Sequence, residues 1–413
     1  MRILVLGSGA REHAIVSALL SEPEAHEVIA APGNAGIARV TEVVHLDAEN
    51  ADLVADFAFD NDIQLVVVGP EAPLVAGVAD AVGTRGIPVF GPSRAAAQLE
   101  SSKTFAKRVM DEAGVPTGRA VRAGTLDEAI EAIDSLGSPY VVKADGLAGG
   151  KGVLVTPDRD AAIAHATSYL HQGSVLIEEF LDGQEVSLFL LSDGHDVLPL
   201  SPAQDYKRLL DGDEGPNTGG MGAYSPLPWL PDGFVDEVVE TIALPTIRQL
   251  EREGTPFLGL LYCGLILTER GIRVIEFNAR FGDPETQVVL PRLRTPLSRL
   301  LFAAATGRLT ELERPEFSDD VAVTVVLASE GYPESPVTGR PIRGLDDVQD
   351  ARIVHAATAE RDGELFATGG RVLSVVATAP DFAEARRLVY GALERISLEG
   401  GQYRTDIAAR VVP

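Results

Sequence analysis

The sequence predicts a multidomain protein with α/β and α+β parts, and three observations support this. The length of 413 residues exceeds the size at which one hydrophobic core stops growing. The first hundred residues alternate apolar strands with helically spaced apolar positions, which indicates a parallel sheet with right-handed crossovers. Beyond about residue 320, two apolar strands and one amphipathic helix indicate a smaller, separate α+β unit.

The first domain is predicted to span residues 1–100, with strands at RILVLG, EVIAA, QLVVVG and PVFG. Ligands bind parallel sheets beyond the carboxyl ends of the strands. Glycine and polar residues follow the first three strands there, in GSGARE, APGNAG and GPEAP. These loops suit a single phosphate near Arg11 at the start of the first helix, and plain strand-to-helix turns are the alternative.

A nicotinamide cofactor is disfavoured at the same loops. The dinucleotide pattern G-x-G-x-x-G would need a third glycine at position 12, which is Glu12. The second strand should end in an acidic residue that binds the ribose, but it ends in Ala30, Ala31 and Pro32.

The rest of the chain divides at changes of pattern. RAAAQLESSKTFAKRVMDEAG predicts one long helix, which leads through residues 101–120 into a second domain. Residues 121–190 are predicted to form a lid, 191–318 a core and 319–413 the C-terminal α+β domain. The glycine-rich stretch Asp211 to Pro226 is predicted to be a long functional loop.

A lysine and a glycine loop lie between two predicted strands in YVVKADGLAGGKGVLVT. Free backbone N–H groups in such a loop can bind an anion. The Walker spacing is absent, and the following GVLVT reads as a strand where a dinucleotide loop would open a helix. We therefore expect a hairpin flap that closes over a ligand, and a plain mobile hairpin is the alternative. Because side chains alternate along a strand, Lys143 should lie on the same face as Val141 and Asp145.

The strand RVIEFNAR carries polar side chains at alternate positions. Strict alternation predicts one face with Val274, Glu276, Asn278 and Arg280, and the other with Ile275, Phe277 and Ala279. A carboxylate and an amide oxygen on one face suit Mg²⁺, which keeps waters and substrate phosphates as its other ligands. A half-solvated hairpin with a polar side is the alternative.

Acidic residues crowd the strands SVLIEEFL and EVSLF, at Glu178, Glu179 and Glu185. Carboxylates there could bind ribose hydroxyls, while the backbone from Glu179 to Leu181 could bind an adenine edge. Solvated strand ends would explain each acid singly. Together with the lysine flap and the Glu-x-Asn strand, they favour a nucleotide–metal site for phosphoryl transfer.

Composition limits the partners. The net charge of −26 argues against nucleic acid, because phosphates would be repelled. The single cysteine, Cys263, excludes an internal disulfide and fits a reducing compartment. We find neither a signal peptide nor a span long enough for a bilayer, so we expect a cytoplasmic protein without a membrane partner.

Eight blocks of sequence carry a family resemblance. GSGAREHA, APGNAG, VVGPEAPLVAG, FGPSRAAAQLESSKTFAK, VVKADGLAGGKGV, EEFLDGQEVS, DEGPNTGGMGAYSP and VIEFNARFGDPETQ resemble those of the glycinamide ribonucleotide synthetase family of ATP-grasp ligases, in order and along almost the whole chain. The resemblance implies a Rossmann-like N-terminal domain, an ATP-grasp core with a mobile lid, and a small C-terminal domain. It also implies ATP-dependent joining of glycine to 5-phosphoribosylamine, through a glycyl phosphate, in purine biosynthesis.

The resemblance implies a set of site residues. The nucleotide would be bound by Lys103, Lys143, Gly149, Gly150, Lys151, Gly152, Glu178, Glu179, Phe180, Leu181 and Glu185, with Mg²⁺ or Mn²⁺ on Glu276 and Asn278. Catalytic candidates are Lys143, Arg280 and Asp283, where Asp283 would orient Arg280 or the glycine ammonium. The other substrates would meet Gly9, Arg11, Glu12, Pro32, Gly33, Asn34, Gly69, Pro70, Glu71, Asp205, Asn217 and Gly282.

The chain departs from many relatives at Ala10, where they have glycine, and at Tyr206, where they have histidine. Three other functions stay open: an ATP-grasp enzyme that activates formate or bicarbonate, a nucleotide sensor without turnover, and a dehydrogenase. We expect a monomer or a weak homodimer.

Overall fold

A computed structural model of the chain describes residues 1–146 and 152–412. The first hundred residues form the predicted parallel sheet, with five strands in the order β3-β2-β1-β4-β5. The stretch PLVAGVADAV forms parts of two helices divided at Gly77, whose φ of +88° ends one helix and starts the next. The elements are β1 (Arg2–Gly7), α1 (Ala10–Leu20), β2 (Glu27–Pro32), β3 (Glu42–Val43), α2 (Ala51–Asp60), β4 (Leu65–Val68), α3 (Glu71–Ala76), α4 (Val78–Thr84) and β5 (Val89–Phe90).

Next comes a four-stranded antiparallel sheet in the order β6-β9-β7-β8, covered by two helices. Small residues on those helices, such as Ala129 and Ala162, pack closely on Val142 and Ile177 of the sheet. The elements are α5 (Gln98–Ser101), α6 (Lys103–Ala113), β6 (Ala120–Ala123), α7 (Leu126–Leu136), β7 (Tyr140–Ala144), β8 (Val153–Thr156), α8 (Arg159–Leu170) and β9 (Val175–Glu178). The pairing of β7 with β8 confirms the predicted hairpin.

The prediction of one long helix before this sheet is wrong. Ser102 adopts an extended conformation, with φ −134° and ψ 112°, and separates α5 from α6. Its side chain caps α6 by accepting a hydrogen bond from the N–H of Phe105 at 3.2 Å. The local capping preference of serine thus outweighs the helical periodicity on either side.

The core contains a second antiparallel sheet, in the order β11-β10-β16-β17. One π-helical turn, Val239–Ala243, joins its two helices just before Pro245. The elements are β10 (Gln184–Asp193), β11 (Val197–Pro199), β12 (Gln204–Asp205), β13 (Arg208–Leu210), β14 (Glu214–Asn217), β15 (Gly222–Ser225), α9 (Phe234–Val238), α10 (Leu244–Arg252), β16 (Leu258–Thr268) and β17 (Gly271–Asn278).

The C-terminal part contains two further sheets, in the orders β12-β15-β18-β23-β20 and β21-β22-β19-β24. Its elements are α11 (Thr286–Val289), α12 (Leu297–Ala305), β18 (Val321–Ala328), β19 (Pro341–Arg343), β20 (Arg352–His355), β21 (Thr358–Arg361), β22 (Glu364–Ala367), β23 (Arg371–Ala379), α13 (Phe382–Leu393) and β24 (Ser397–Leu398). The first of these sheets crosses the predicted boundary at residue 319, because β15 pairs with β18.

The glycine-rich stretch 211–226 is therefore not the predicted loop without structure of its own. Its first half contains β14, which pairs with the preceding β13, and its second half contains β15, fully buried in the C-terminal sheet. At Gly222 a Cβ would lie 2.6 Å from the carbonyl oxygen of Thr324, so only glycine allows this strand to approach β18. Within the described ranges, no helix is long and apolar enough to span a bilayer.

Candidate active site

Three neighbouring strands of the core sheet form the floor of a polar cleft. Glu185 of β10 pairs with Ile266 of β16, and Glu276 of β17 pairs with Gly264 of β16. Ile266 and Gly264 are two residues apart, so both glutamates point to the same side of the sheet. Asn278 joins them, because its partner Tyr262 is a further two residues along. We call this surface the acidic floor.

Gly264 keeps the acidic floor open between the two glutamates. A Cβ at this position would lie 3.1 Å from Cγ of Glu276. Any larger residue would therefore push against the carboxylate.

The predicted alternation along β17 fails at one residue. The pairing shifts by one residue between Gly264 and Leu265, which leaves Ile275 without a partner on β16. Val274 thereby turns to the apolar side with Phe277, where both are buried in the main core. The prediction that Val274 shares the face of Glu276 is therefore wrong, while Glu276 and Asn278 do share a face.

The freed carbonyl of Ile275 accepts a hydrogen bond from Nζ of Lys143 at 3.3 Å. The same ammonium group lies 2.9 Å from Oε2 of Glu178, and both side chains are less than a tenth exposed. Lys107 also approaches this carboxylate, at 3.4 Å. Two cations, Lys143 buried and Lys107 partly buried, therefore share the single anion of Glu178, and one positive charge is available for an anionic ligand.

Lys103 lies at the start of α6, directly after the Ser102 break. Its Nζ donates to the carbonyl of Gly146 at 3.0 Å, the last described residue before the glycine loop. Burial, reinforced by neighbouring Lys143, lowers its pKa despite the charge of Glu276. Asp145 fixes this corner by accepting from Thr104 Oγ1 at 2.6 Å.

The strand end after β9 offers an unpaired backbone edge. The N–H of Glu179 donates to the carbonyl of Arg119 at 2.8 Å, and its side chain pairs with Arg270 at 2.7 Å. In the described part of the chain, no hydrogen bond engages the carbonyl of Glu179 or the N–H of Leu181. Phe180 is exposed between them. One acceptor and one donor two residues apart match the edge of an adenine base.

Glu276 has a carboxylate that cations surround without touching. In the ranges 1–146 and 152–412, no side chain forms a hydrogen bond or ion pair with it. Burial would raise its pKa, but Lys207, Lys143 and Lys103 offset this and hold the pKa below its ordinary value. An ionised carboxylate with free lone pairs fits a divalent cation. The amide oxygen of Asn278 fits one as well, and it accepts a single long hydrogen bond, 3.3 Å from Nη2 of Arg280.

Only these two protein oxygens would hold a metal, which agrees with the absence of any cluster of three His, Cys, Asp or Glu ligands among the described residues. Mg²⁺ commonly binds through one or two carboxylates and completes its shell with phosphates and waters. The donor set therefore fits a metal–nucleotide complex better than a permanently bound metal.

A lysine and a further acid lie beside the floor, Lys207 between β12 and β13 and Asp205 at the end of β12. Nζ of Lys207 lies 2.5 Å from Oε2 of Glu185, and both side chains are partly exposed, at 36% and 45%. Burial raises the pKa of nearby Asp205 to about 8, against the opposing charge of Lys207. Tyr206 between them points the other way, where its hydroxyl accepts from the N–H of Ala408 at 2.9 Å. The tyrosine that stands at position 206, where many relatives have histidine, therefore does not contact the cleft.

Arg280 is held by two acids from different elements. Its Nη2 lies 3.0 Å from Oε1 of Glu100, and its Nε lies 3.4 Å from Oε2 of Glu71. Burial would lower its pKa, but both carboxylates raise it above the ordinary value. Nε is buried and forms no hydrogen bond within the described chain, so its contact there is the longer ion pair with Glu71.

Asp283 does not orient Arg280, contrary to that part of the prediction. Its carboxylate lies 3.3 Å from Nη1 of Arg371 and accepts from the amide of Gln287 at 2.8 Å. Burial would raise its pKa, but Arg371 and Arg11 lower it. Asp283 thus joins the core to β23 of the C-terminal sheet.

The loop after β1 is organised around one buried carboxylate. Glu12 accepts from the N–H of Gly9 at 2.6 Å and from Nε of Arg11 at 2.5 Å. Arg11 also donates to the carbonyl of Phe281 at 3.1 Å. A Cβ at Gly69 would lie 2.2 Å from Oε1 of Glu12, so the loop after β4 must be glycine here. Glu12 therefore fixes the loops, and only their outer surface can meet a substrate.

Several predicted site residues have structural contacts of their own. Asn34 donates to the carbonyls of Ser8 at 2.8 Å and His355 at 2.9 Å, so its amide holds two domains together. Asn217 is paired with Arg208 in the β13–β14 hairpin. Of the remaining predicted positions, Pro32 is the last residue of β2, and the others lie outside the strands and helices, namely Gly33, Pro70, Gly152 and Gly282. The predicted Gly149, Gly150 and Lys151 lie outside the described residues.

Sequence reasoning missed Lys207, Glu100 and Glu285. Glu285 is 3% exposed and accepts from Ser187 Oγ at 3.0 Å and Tyr262 at 2.5 Å, directly beside the floor. A signal was available for Lys207, because it follows Asp205 at a spacing of two in AQDYKR. Glu100 had none, since its helix was predicted to continue past it.

Comparisons with known proteins agree with this architecture. Residues 1–100 match the phosphoribosylglycinamide synthetase N domain, residues 101–286 its ATP-grasp (A) domain and residues 322–410 its C domain. A protein named phosphoribosylamine–glycine ligase from Leifsonia xyli subsp. xyli is 72% identical, over 99% of this chain and 100% of its own. One of the same name from Streptomyces coelicolor is 58% identical, over 99% of each.

Solved structures give the same result. The crystal structure of phosphoribosylamine–glycine ligase from Thermotoga maritima matches with a TM-score of 0.86 and 35% identity, over 98% of this chain and 100% of that one. The biotin carboxylase domain of 2-oxoglutarate carboxylase from Hydrogenobacter thermophilus matches at a TM-score of 0.71 and 18% identity, over 97% and 91%, which shows a shared fold alone. With all three domains matched in order and close full-length relatives, the chain belongs to the phosphoribosylglycinamide synthetase family of ATP-grasp ligases.

Proposed function

We propose that the chain joins glycine to 5-phosphoribosylamine and cleaves ATP to ADP and phosphate, as a step of purine biosynthesis. The observation that carries the proposal is the Glu276 carboxylate, which has no hydrogen-bond or ion-pair partner among the described residues and is faced by Lys103, Lys143 and Lys207. Such a site suits a metal-bound triphosphate. The names of the full-length relatives supply the two other substrates.

The nucleotide would lie across the acidic floor. Leu181 N–H and Glu179 C=O would bind the adenine, Glu185 the ribose, and Lys103 and Lys143 the phosphates. Glu276 and Asn278 would hold Mg²⁺ or Mn²⁺, which when bound neutralises charge on the phosphate oxygens. Arg280 would orient the carboxylate of glycine through its planar guanidinium group.

The reaction then needs positioning more than acid–base chemistry. A carboxylate oxygen of glycine attacks the γ-phosphorus, and the bond to the bridging oxygen breaks in favour of ADP. The amine of phosphoribosylamine next attacks the carbonyl carbon of the glycyl phosphate, phosphate leaves, and the amine loses one proton. The outer surface of the loops near Gly9, Arg11 and Glu71 would place phosphoribosylamine beside Arg280, to which Glu71 is already paired.

The proposal includes a cytoplasmic enzyme that acts as a monomer or weak homodimer without nucleic-acid or membrane partners. The charge of −26 supports the exclusion of nucleic acid.

The test is ADP release from ATP and Mg²⁺, with glycine and phosphoribosylamine added separately and together. Turnover that needs both substrates is the expected result. Lys143→Met should abolish turnover. Arg159→Gln should not, because the Arg159 side chain is exposed and pairs with Asp134 at the surface. Turnover with formate or bicarbonate in place of glycine would identify a different ATP-grasp ligase. ATP binding without turnover in any mixture would identify a sensor.

A further inference from the structure

The start of α1, where the sequence predicts a phosphate near Arg11, is already occupied by acidic side chains. The N–H of Gly9 donates to Oε2 of Glu12 at 2.6 Å, and the N–H of Arg11 donates to the carboxylate of Asp283. Helix N-termini bind phosphates through such N–H groups, but here two carboxylates take them. Their negative charge would repel a phosphate, so we expect the phosphate of phosphoribosylamine at another cation.

Two arginines around the proposed substrate cleft are engaged as well. Arg11 is paired with Glu12 at 2.5 Å. Arg280 is paired with Glu71 and Glu100, and it is already assigned to the carboxylate of glycine. Neither of these guanidinium groups is left for a second anion.

Arg371, the first residue of β23, has an unused edge on its guanidinium group. Its Nη1 donates to the carbonyls of Gly219 and Asp283, the second at 2.8 Å, and lies 3.3 Å from Oδ1 of Asp283. Within residues 1–146 and 152–412, Nε and Nη2 form no hydrogen bond, and 23% of the side chain is exposed. Nε and Nη2 are the edge through which arginine binds a phosphate with two parallel hydrogen bonds.

A hydroxyl group lies beside this edge. The hydroxyl of Tyr332 accepts from the N–H of Gly219 at 2.8 Å, and its own proton has no acceptor among the described residues. A Cβ at Gly219 would lie 3.3 Å from both this oxygen and Nε of Arg371, so the two donors flank one glycine. Gly370 lets the ring of Tyr332 pack on the backbone, since a Cβ there would lie 2.2 Å from a ring carbon. The two side chains are close enough to meet one phosphate group.

The segment 281–283 connects this corner to the proposed reaction. The carbonyl of Phe281 accepts from Arg280 at 3.2 Å, and that of Asp283 accepts from Arg371 at 2.8 Å. The Cα atoms of residues two apart are separated by at most about 7 Å. The amine and the phosphate of phosphoribosylamine lie at opposite ends of its ribose. A sugar with its amine beside Arg280 can therefore reach Arg371 with its phosphate.

We propose that Arg371 and Tyr332 bind the 5-phosphate of phosphoribosylamine, Arg371 through its Nε–Nη2 edge and Tyr332 through its hydroxyl. The inference rests on the proposed function, since that function supplies the phosphorylated sugar. It gives the C-terminal sheet a part in selecting the acceptor, because a sugar amine without a phosphate would leave the guanidinium edge unpaired. The phosphate takes no part in the bond that forms, so the contact contributes to binding more than to kcat.

The test uses ribose 5-phosphate and ribose as probes, titrated calorimetrically into the full chain. The wild-type chain should prefer ribose 5-phosphate, and Arg371→Met should reduce that preference by roughly 10- to 100-fold, as for other hydrogen bonds to charged groups. Tyr332→Phe should reduce it by about three- to tenfold. In the ligase reaction of Arg371→Met, the KM for phosphoribosylamine should rise by a similar factor, while the KM for glycine rises far less.

The matched control is Arg352→Gln, because Arg352 is an exposed arginine on β20, the strand that pairs with β23. It should keep the preference for the phosphorylated sugar. If Arg371→Met does not fold, Arg371→Lys replaces it. Lysine keeps the charge beside Asp283 but lacks the two-nitrogen edge, so this variant should still lose part of the preference.

Three results would overturn the inference. One is an unchanged preference in the Arg371 variant, and another is a wild-type chain that binds ribose and ribose 5-phosphate equally. The third is an equal rise of both KM values, which would mean that Arg371 only holds Asp283 in place.

The calorimetric comparison does not depend on the ligase reaction. If the wild-type chain fails to turn over glycine with phosphoribosylamine but Arg371→Met still loses the preference for ribose 5-phosphate, the proposed function fails and the phosphate site stands. If the ligase is active and the preference is unchanged, the phosphate site fails alone.

Discussion

His13, on the first helix, accepts a hydrogen bond through Nδ1 from the backbone N–H of His355, 2.9 Å away on β20. The two rings lie 5.6 Å apart, and both are buried between the first domain and the C-terminal sheet. An Nδ1 that accepts a hydrogen bond carries no proton, so His13 is neutral in this contact. The two ends of the chain are therefore joined by a contact that requires a neutral imidazole.

This contact predicts a loss of stability in acid. Burial lowers the pKa of His13 from 6.5 to about 4, against a smaller opposing effect of the hydrogen bond from His355. As the pH falls below 6.5, the unfolded chain gains a proton that the folded chain does not accept, so stability present at pH 7 is lost towards pH 4. His355, with its pKa lowered to about 3 by burial, His13 and Arg39, acts in the same direction.

We expect the free energy of unfolding in urea to fall by about 2 kcal/mol per buried histidine between pH 7 and pH 5. His13→Ala should be less stable at pH 7 and lose less on acidification. His45→Ala, at an exposed position, should behave like the wild-type chain. An unchanged pH dependence in His13→Ala would refute this assignment.

The second prediction concerns Glu178, the shared anion of Lys143 and Lys107. Replacing it with glutamine leaves one buried and one partly buried ammonium group without a countercharge, which should destabilise the fold by about 3 kcal/mol or more. ATP should restore part of the loss, because its phosphates supply the missing negative charge. Thermal unfolding with and without ATP measures both effects.

Asp134→Asn is a suitable control for Glu178→Gln, since Asp134 pairs with Arg159 at the surface. We expect little change there, with or without ATP. Equal stability of Glu178→Gln and the wild-type chain would mean that the lysines do not depend on this carboxylate.

The third prediction tests the open floor. Gly264→Ala would place a methyl group 3.1 Å from Cγ of Glu276, and the carboxylate would have to move by a few tenths of an ångström. We expect kcat/KM to fall by about tenfold while the fold is retained, because small displacements of catalytic groups are costly. Gly391→Ala, on a helix with open space around the glycine, should leave the activity intact.

The fourth prediction tests the metal ligands. Glu276→Gln should raise the Mg²⁺ concentration needed for half-maximal activity by at least about tenfold. Titration with Mn²⁺ in the presence of ADP, followed by EPR, measures the same loss without turnover. Glu269→Gln, at the exposed tip of the same hairpin, should bind Mn²⁺ like the wild-type chain; matching curves for both variants would reject Glu276 as a ligand.

Much of the architecture could be predicted from sequence because its signals are local. Alternating strands and helices indicate the parallel sheet, and the two-residue spacing of Glu276 and Asn278 places them on one face. Val274 was misplaced because the register shift at Ile275 depends on the pairing with β16, which no single strand reveals. The helix break at Ser102 reflects capping and the hydrogen bonds that Asp145 accepts from Thr104.

The remaining parts of the site depend on contacts between distant segments. Glu100 binds Arg280 across 180 positions of sequence, and Asn34 meets His355 across 321. Residue types alone made Asn34 look like a substrate ligand, whereas its amide is used between domains. Polar residues at strand ends can bind a substrate or connect two domains, and only the folded structure shows which of the two a given residue does.

The pairing of β15 with β18 has a consequence for how the chain can be divided. A polypeptide ending near residue 319 would leave the buried backbone of β15 as a bare edge, open to pairing with any other extended segment. The ATP-binding half and the C-terminal half therefore share one folding unit, although they match separate sequence domains. The strands of this sheet come from residues 204–379. A chimera made from two relatives would therefore keep the hydrogen bonds of the sheet only if the point where the two sequences are joined lies outside this range.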